Sequence, residues 1–408
     1  MSQPKTIKRL IACFGSIQLV TVLSVLSYRE KEQQELNYQY EDYLVITPLF
    51  TPQGQNEEFA AFIEKMAHSM HTWKNIVYLS LEQIKAITNK IDSSGFFEVS
   101  KLAHNLLCVE NPSEIYLSRT WNIENQLLMN VYENAEKICY GDGIGIYFSH
   151  TAFLPQNTSP EAAVSLSNLY KVFKRQIKAV LPRKKKFRKQ EFDLGYFSLP
   201  YAFGEVPPME TTILDKSVYL KTFQTLRKAL DNLVDADYIN NLKATIQGFP
   251  VSILLSSNFS EARRMGIEQE IEAYREFLLA QGIPNNSILL IKPHPRDSKE
   301  KILQMQSSLN DLYAKIILLN EDFLFYLPFE VLFMELFLFD FTQSHRPKIF
   351  TFSSASLTLE FLFDVECIVG FGKEVIEKYF YPEHMEGRIK HEADLQSTIN
   401  EVRGLIAA

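Results

Sequence analysis

Short apolar runs alternate with longer amphipathic ones along this chain, and the pattern starts over past the midpoint, which constrains the fold more than any other feature. Arg9–Phe14, Tyr43–Thr47, Ile76–Leu79, Glu114–Leu117 and Lys137–Tyr140 read as strands, while Asn56–Thr72 and Ser80–Asp92 carry apolar residues at helical spacing. Near Pro250 the same grammar begins again. Val251–Leu255, Ile288–Ile291, Lys315–Leu319 and Lys348–Phe352 read as strands, and Glu261–Gln281 and Pro328–Leu338 as helices. Strand–helix–strand alternation implies a parallel sheet with helices on both faces, so the fold class is α/β. A chain of 408 residues exceeds what one core usually supports, so two domains are expected.

The expected division is an N-terminal Rossmann-like domain over residues 1–190, an inter-domain crossing and helix over 191–245, and a C-terminal Rossmann-like domain over 246–400. Glu191–Thr212, with Pro200, Pro207 and Pro208, reads as the crossing, and Leu220–Val234 as the helix. Asp235-Ala-Asp237 follows that helical pattern and reads as a helix end rather than a metal pair; no metal site is expected anywhere.

Charge is unevenly spread. The formal net charge of −7 argues against nucleic acid as a partner. Lys171–Lys189 nevertheless holds ten Lys or Arg and no acid, leaving −17 on the rest of the chain. Such a run is a solvated loop or a surface for anionic lipid headgroups. The first twenty residues are basic and then apolar, but Gly15, Ser16 and Gln18 interrupt the stretch, making a poor signal peptide and too short a membrane span. Phe323–Phe341 holds seven Phe but also Pro328, Glu330, Glu335 and Asp340, and reads as a buried segment of a soluble protein. Cys13, Cys108, Cys139 and Cys367 lack paired spacing and read as reduced, buried thiols, which together suggests a cytoplasmic protein.

Three short motifs carry chemistry. In Ile288–Asp297, four apolar residues lead to Lys292-Pro-His294-Pro295-Arg296 at a strand's carboxyl end, where open α/β sheets bind ligands. Prolines on both sides fix the backbone around His294, and Lys292, His294 and Arg296 could address a phosphate; a rigid surface turn is the plainer alternative. Ser353-Ser354 ends a second strand of the same half, as N-caps for Leu357–Phe363 or as part of an anion site. Asp142, between Gly141 and Gly143, would project from a tight turn with little cover, which suits a general base; Asp-Gly is also the commonest hairpin turn. Pro328-Phe-Glu330 places a proline and an acid in the first turn of a helix.

In order, Gly141-Asp142-Gly143, His294-Pro295 and Ser353-Ser354 resemble the three motifs of bacterial sialyltransferases and polysialyltransferases, acidic-acidic-Gly, His-Pro and Ser/Thr-Ser. The resemblance is to glycosyltransferase family 52 and the capsule polysialyltransferases, and extends more loosely to Phe14-Gly-Ser-Ile-Gln18 and Pro328-Phe-Glu330. Gly141 departs from it by standing at the first acidic position, which bears on the acceptor more than on the reaction class.

The resemblance implies a GT-B arrangement of two facing domains and a metal-independent, inverting transfer from a CMP-activated sugar to a glycan or glycolipid. By position, Asp142 would be the base. His294 would hydrogen-bond or protonate the leaving phosphate with Ser353 and Ser354, Lys292 and Pro295 would complete the nucleotide site, and Glu330 would contact the ribose. Gly15, Ser16, Gln18 and Gly143 would lie on the acceptor side. A peripheral position on the inner membrane and a homodimer are compatible with it. The competing readings are a CDP-glycerol-type polyol-phosphate transferase and a non-catalytic nucleotide- or sugar-binding protein of the same fold.

Overall fold

The computed structural model describes residues 4–47, 54–94, 96–118, 123–145, 190–199, 209–284, 286–338 and 346–407. The basic run Lys171–Lys189 lies outside them, as do the three prolines at 200, 207 and 208.

Among the described residues, seven parallel strands form the first sheet: β1 Lys5–Cys13, β2 Tyr38–Ile46, β3 Asn75–Tyr78, β4 Glu114–Leu117, β5 Glu136–Cys139, β6 Leu194–Phe197 and β7 Glu210–Ile213. Their order is β3-β2-β1-β4-β5-β6-β7. Helices α1 Ser16–Glu32, α2 Asn56–Met70, α3 Leu81–Ser94, α4 Phe96–Leu107 and α5 Ile123–Val131 connect the first five strands. β1 shows why it sits centrally: Ile11 and Cys13 enter one core while Leu10 and Ala12 enter the core on the opposite face. Side chains of successive strand residues point to opposite faces, so only an unbroken apolar run satisfies both.

Residues read as the crossing belong instead to this sheet. β6 and β7 lie inside Glu191–Thr212 and its end, pairing in parallel from Leu194 with Glu210 to Phe197 with Ile213. β7 is the edge strand and β6 its inner neighbour; both are mixed in character, and Gly195 and Thr211–Thr212 give them no apolar run to read.

The chain then forms α6 Lys216–Lys228, the short α7 Leu230–Leu233 and α8 Ala236–Ile246. Asp235 is the N-cap of α8, its carboxylate accepting from the amides of Asp237 and Tyr238, so the acidic pair opens a helix rather than closing one. α6 packs on α1, where buried Ser24 donates to Thr222 across 2.9 Å.

Among the described residues the second sheet has five parallel strands in the order β10-β9-β8-β11-β12: β8 Val251–Leu255, β9 Ile288–Lys292, β10 Lys315–Leu318, β11 Lys348–Thr351 and β12 Cys367–Val369. Its helices are α9 Ile267–Ala280, α10 Lys299–Leu309, α11 Asp322–Tyr326, α12 Phe329–Phe333, α13 Ala355–Phe363, α14 Lys373–Tyr379 and α15 Pro382–Ala407. α9 begins at Ile267 rather than Glu261 because Gly266 is its N-cap and Arg263 before it has a φ of 58°. α12 continues into a π-turn over Met334–Leu338.

Three apolar clusters organise the molecule. One covers the outer face of each sheet, and the third is shared: Ile11, Tyr116 and Ile138 of the first sheet join Ile253, Leu290 and Ile349 of the second through α1, α6 and α13. The loops after β2 and β10 also meet. Gln55 donates to Asp322 and accepts from the Tyr326 hydroxyl, whose ring packs 5.7 Å from Phe59 and 5.6 Å from Phe62. The carboxyl edges of both sheets therefore turn toward one another, the GT-B arrangement of two Rossmann-like units.

Cys13, Cys139 and Cys367 are buried free thiols, but Cys108 is exposed just past α4, where its φ is 54°. Among the described residues no helix is long and apolar enough to cross a membrane. Over its described residues, 323–338, the Phe-rich segment is buried at Leu324, Tyr326, Val331 and Phe333, and Glu335 is paired with Arg227 and Lys243; residues 339–341 lie outside the described residues.

Candidate active site

Asp142 stands just past β5, in a turn closed by its own amide donating to the Gly145 carbonyl at 3.2 Å. Gly141 has a φ of +80°, and a Cβ there would lie 2.7 Å from the Gly145 oxygen. An acidic residue at 141 would not fit this turn. The departure from the sialyltransferase motif thus has a steric reason, and Asp142 is the motif's one acid. The turn is no hairpin, because β5 and its neighbour β6 run parallel. Asp142 is half-buried rather than bare, and Gln18 donates from Nε2 to its Oδ1 at 3.4 Å. Gly15 is the N-cap of α1, Ser16 and Gln18 lie in its first turn, and Gly143 is buried beside Asp142. The structure therefore joins Gln18 to Asp142, although β4 separates their strands.

On the second sheet, His294 follows β9 in a turn more tightly determined than its prolines alone require. Its amide donates to Asp297 Oδ2 at 2.9 Å and Ser256 Oγ at 3.0 Å, and Ser256 donates to the same carboxylate oxygen at 2.7 Å. The Asp297 amide in turn donates a hydrogen bond to the His294 carbonyl at 2.9 Å. Beneath it the fully buried Lys301 ammonium reaches Asp297, Glu261 and Glu270 at 2.8–2.9 Å and donates to the Ser257 carbonyl. A Lys this deep is tolerated only because carboxylates surround it.

The ring itself is oriented by the Arg296 amide, which donates to Nδ1 at 3.1 Å. A neutral imidazole accepting at Nδ1 carries its proton on Nε2, so Nε2 is a hydrogen-bond donor. Burial, with Arg296, Lys301 and Lys292 nearby, pushes the His294 pKa down to about 4. The side chain is therefore neutral near pH 7. Burial likewise lowers Lys292 to about 8, against the pull of Asp297, and its ammonium lies 4.6 Å from the Phe325 ring centroid. Burial raises Asp297 to about 6, opposed by Lys301. Pro295 continues the turn, half-buried.

Ser354 is the N-cap of α13, but its hydroxyl makes no capping hydrogen bond; Ser353 is exposed. The plain capping role is thus unused. Since β8 lies between β9 and β11, the strands leading to His294 and Ser353 run about two spacings, ~10 Å, apart and end on one edge. Glu330 is not the solvated first-turn acid its position suggests: it is 6% exposed, and burial raises its pKa to about 7.

Sequence reading missed Ser256, Asp297 and Lys301. The signal for Asp297 was its place three residues after His294, the spacing at which an Asp side chain turns back on backbone amides. Among the described residues there is no cluster of three or more metal-ligating side chains.

Two Rossmann-like units with polar groups at their facing carboxyl edges define the GT-B fold class. Residues 9–335 match the alpha-2,8-polysialyltransferase family, and the chain belongs to that family. The matched span includes Asp142, His294 and Glu330 and stops short of Ser353-Ser354. No curated protein matches the chain by sequence. Among solved structures it is similar to a Listeria monocytogenes protein assigned as a UDP-N-acetylglucosamine 2-epimerase, with 13% identity over 97% of this chain and 90% of that one and a TM-score of 0.48. The UDP-GlcNAc 2-epimerase of Methanocaldococcus jannaschii shows 11% identity over 99% and 100% of the two chains, TM-score 0.46. That of Neisseria meningitidis shows 13% over 98% and 100%, TM-score 0.44.

Proposed function

We propose that this glycosyltransferase moves sialic acid, or a related acidic sugar, from a CMP-sugar to a glycan or glycolipid acceptor by an inverting displacement that needs no metal. The family match over residues 9–335, with Asp142 and His294 inside it, is the observation that carries this reading. An acceptor hydroxyl attacks the anomeric carbon as the bond to the CMP phosphate breaks. Asp142 takes the hydroxyl proton. His294 donates from Nε2 to the departing phosphate as a neutral hydrogen-bond donor, a preorganised electrostatic role that consumes no proton. Lys292, Ser353 and Ser354 assist at the phosphate, and Glu330 contacts the ribose.

The test is transfer from CMP-sialic acid to a labelled α2,8-linked sialic acid oligomer, by the wild type and by Asp142→Asn. Transfer by the wild type and a loss of about 10²–10⁴-fold in the variant, with CMP affinity unchanged, is the expected result. Undiminished turnover by Asp142→Asn would remove the base. The polybasic run Lys171–Lys189 would dock the enzyme on anionic membranes. Binding to phosphatidylserine vesicles should then weaken with salt, and indifference to salt removes the electrostatic basis.

A further inference from the structure

We propose that Gln18 is a positioning residue for the Asp142 carboxylate, reaching past the end of β4 to aim it at the arriving acceptor hydroxyl. The inference rests on the reading of Asp142 as the base and adds the residue that would hold it.

Gln18 is the third residue of α1, yet it is only 1% exposed, unusual for a side chain with four hydrogen-bonding needs. Both ends of its amide are occupied. Oε1 accepts from the Phe14 amide at 2.9 Å, and Nε2 faces Asp142 Oδ1 at 3.4 Å. The reverse orientation would set an N–H against the Phe14 N–H and an oxygen against a carboxylate. Only one orientation is therefore compatible with both neighbours, and in it the amide presents a donor to Asp142. At 3.4 Å the contact stands at the long end of the hydrogen-bond range.

The architecture explains why the base needs such support. Asp142 lies on a short turn beyond β5 between two glycines, whereas Gln18 is held by the first turn of a seventeen-residue helix on a central strand. Gln18 thus ties a turn to the rigid part of the first sheet.

Two substitutions separate this role from simple support of the Phe14 amide. Gln18→Met keeps length and removes both polar contacts. Gln18→Glu keeps an acceptor for the Phe14 amide but places a second carboxylate against Asp142 in place of the donor. With CMP-sialic acid and the labelled sialic acid oligomer, both variants should lose at least about tenfold in kcat, with CMP affinity and acceptor KM within about twofold of wild type. Recovery of wild-type kcat by Gln18→Glu would overturn the proposal, because a purely structural role is rescued by any acceptor there. Should Gln18→Met fail to fold, Gln18→Glu decides alone. Asp142→Asn, run alongside, separates the two failures: if it is fully active the base assignment falls, whereas if it is inactive and Gln18→Glu is wild-type, only the role of Gln18 falls.

Discussion

His294, the proposed donor to the leaving phosphate, shows how little of a side chain's behaviour resides in its own identity. The Arg296 amide at Nδ1 selects the tautomer, and burial among Lys292, Arg296 and Lys301 holds the imidazole neutral. The imidazole should accordingly stay uncharged until about pH 4, and ¹⁵N shifts of the ring should show an unprotonated Nδ1 and a protonated Nε2 at pH 7. A midpoint near the ordinary value of about 6.5 would contradict this environment. Because the folded-state pKa lies below the unfolded one, this group favours the folded state above about pH 6.5, and that contribution is lost as pH falls toward 4. His294→Ala should impair both turnover and CMP affinity, unlike Asp142→Asn. At Gly141 the positive φ and the Gly145 carbonyl make Gly141→Asp costly, by about 1–3 kcal/mol, measurable as a lower urea midpoint.

Between residues and the whole molecule stand the strand ends and the helices that pin them. α10 contributes Lys301, whose removal leaves Glu270 and Asp297 buried without their cation. Lys301→Met should therefore cost about 3–5 kcal/mol, more than any surface substitution on that helix. α12 carries Glu330, raised to about 7 by burial; an acid raised in the fold loses stability as pH climbs from about 4.5 through 7. Glu330→Gln should abolish that decline, so its stability relative to wild type should rise across the window. Elements with strong apolar signatures were legible in the sequence: β4 and β8 fall where their runs end, and the strand–turn around His294 lies at a carboxyl edge as expected. β6 and β7, the inner neighbour and the edge strand itself, were not, because both are short and only alternately or partly buried, so neither carries an apolar run. The donor network beneath His294 was only half legible, since Lys301 and Glu270 become partners through packing of α9 on α10 rather than through any local spacing.

At the scale of the molecule, a core shared by both sheets ties the halves together. Equilibrium unfolding in urea should be a single transition by fluorescence and by circular dichroism, and two separated transitions would mean that the shared cluster does not couple the halves. The same coupling keeps the two carboxyl edges turned toward each other through Gln55, Asp322 and Tyr326. That arrangement places the proposed base on one sheet and the residues proposed to face the phosphate on the other, and the proposed reaction requires the second sheet to hold a cytidine nucleotide. Thermal stabilisation by CMP, CDP, UDP and GDP, each with and without magnesium, tests this most directly, because a ligand that binds only the folded state raises stability with the logarithm of its concentration over Kd. The account predicts a rise in Tm with CMP that magnesium does not alter; stabilisation by UDP or GDP in its place, or by none of the four, would contradict it.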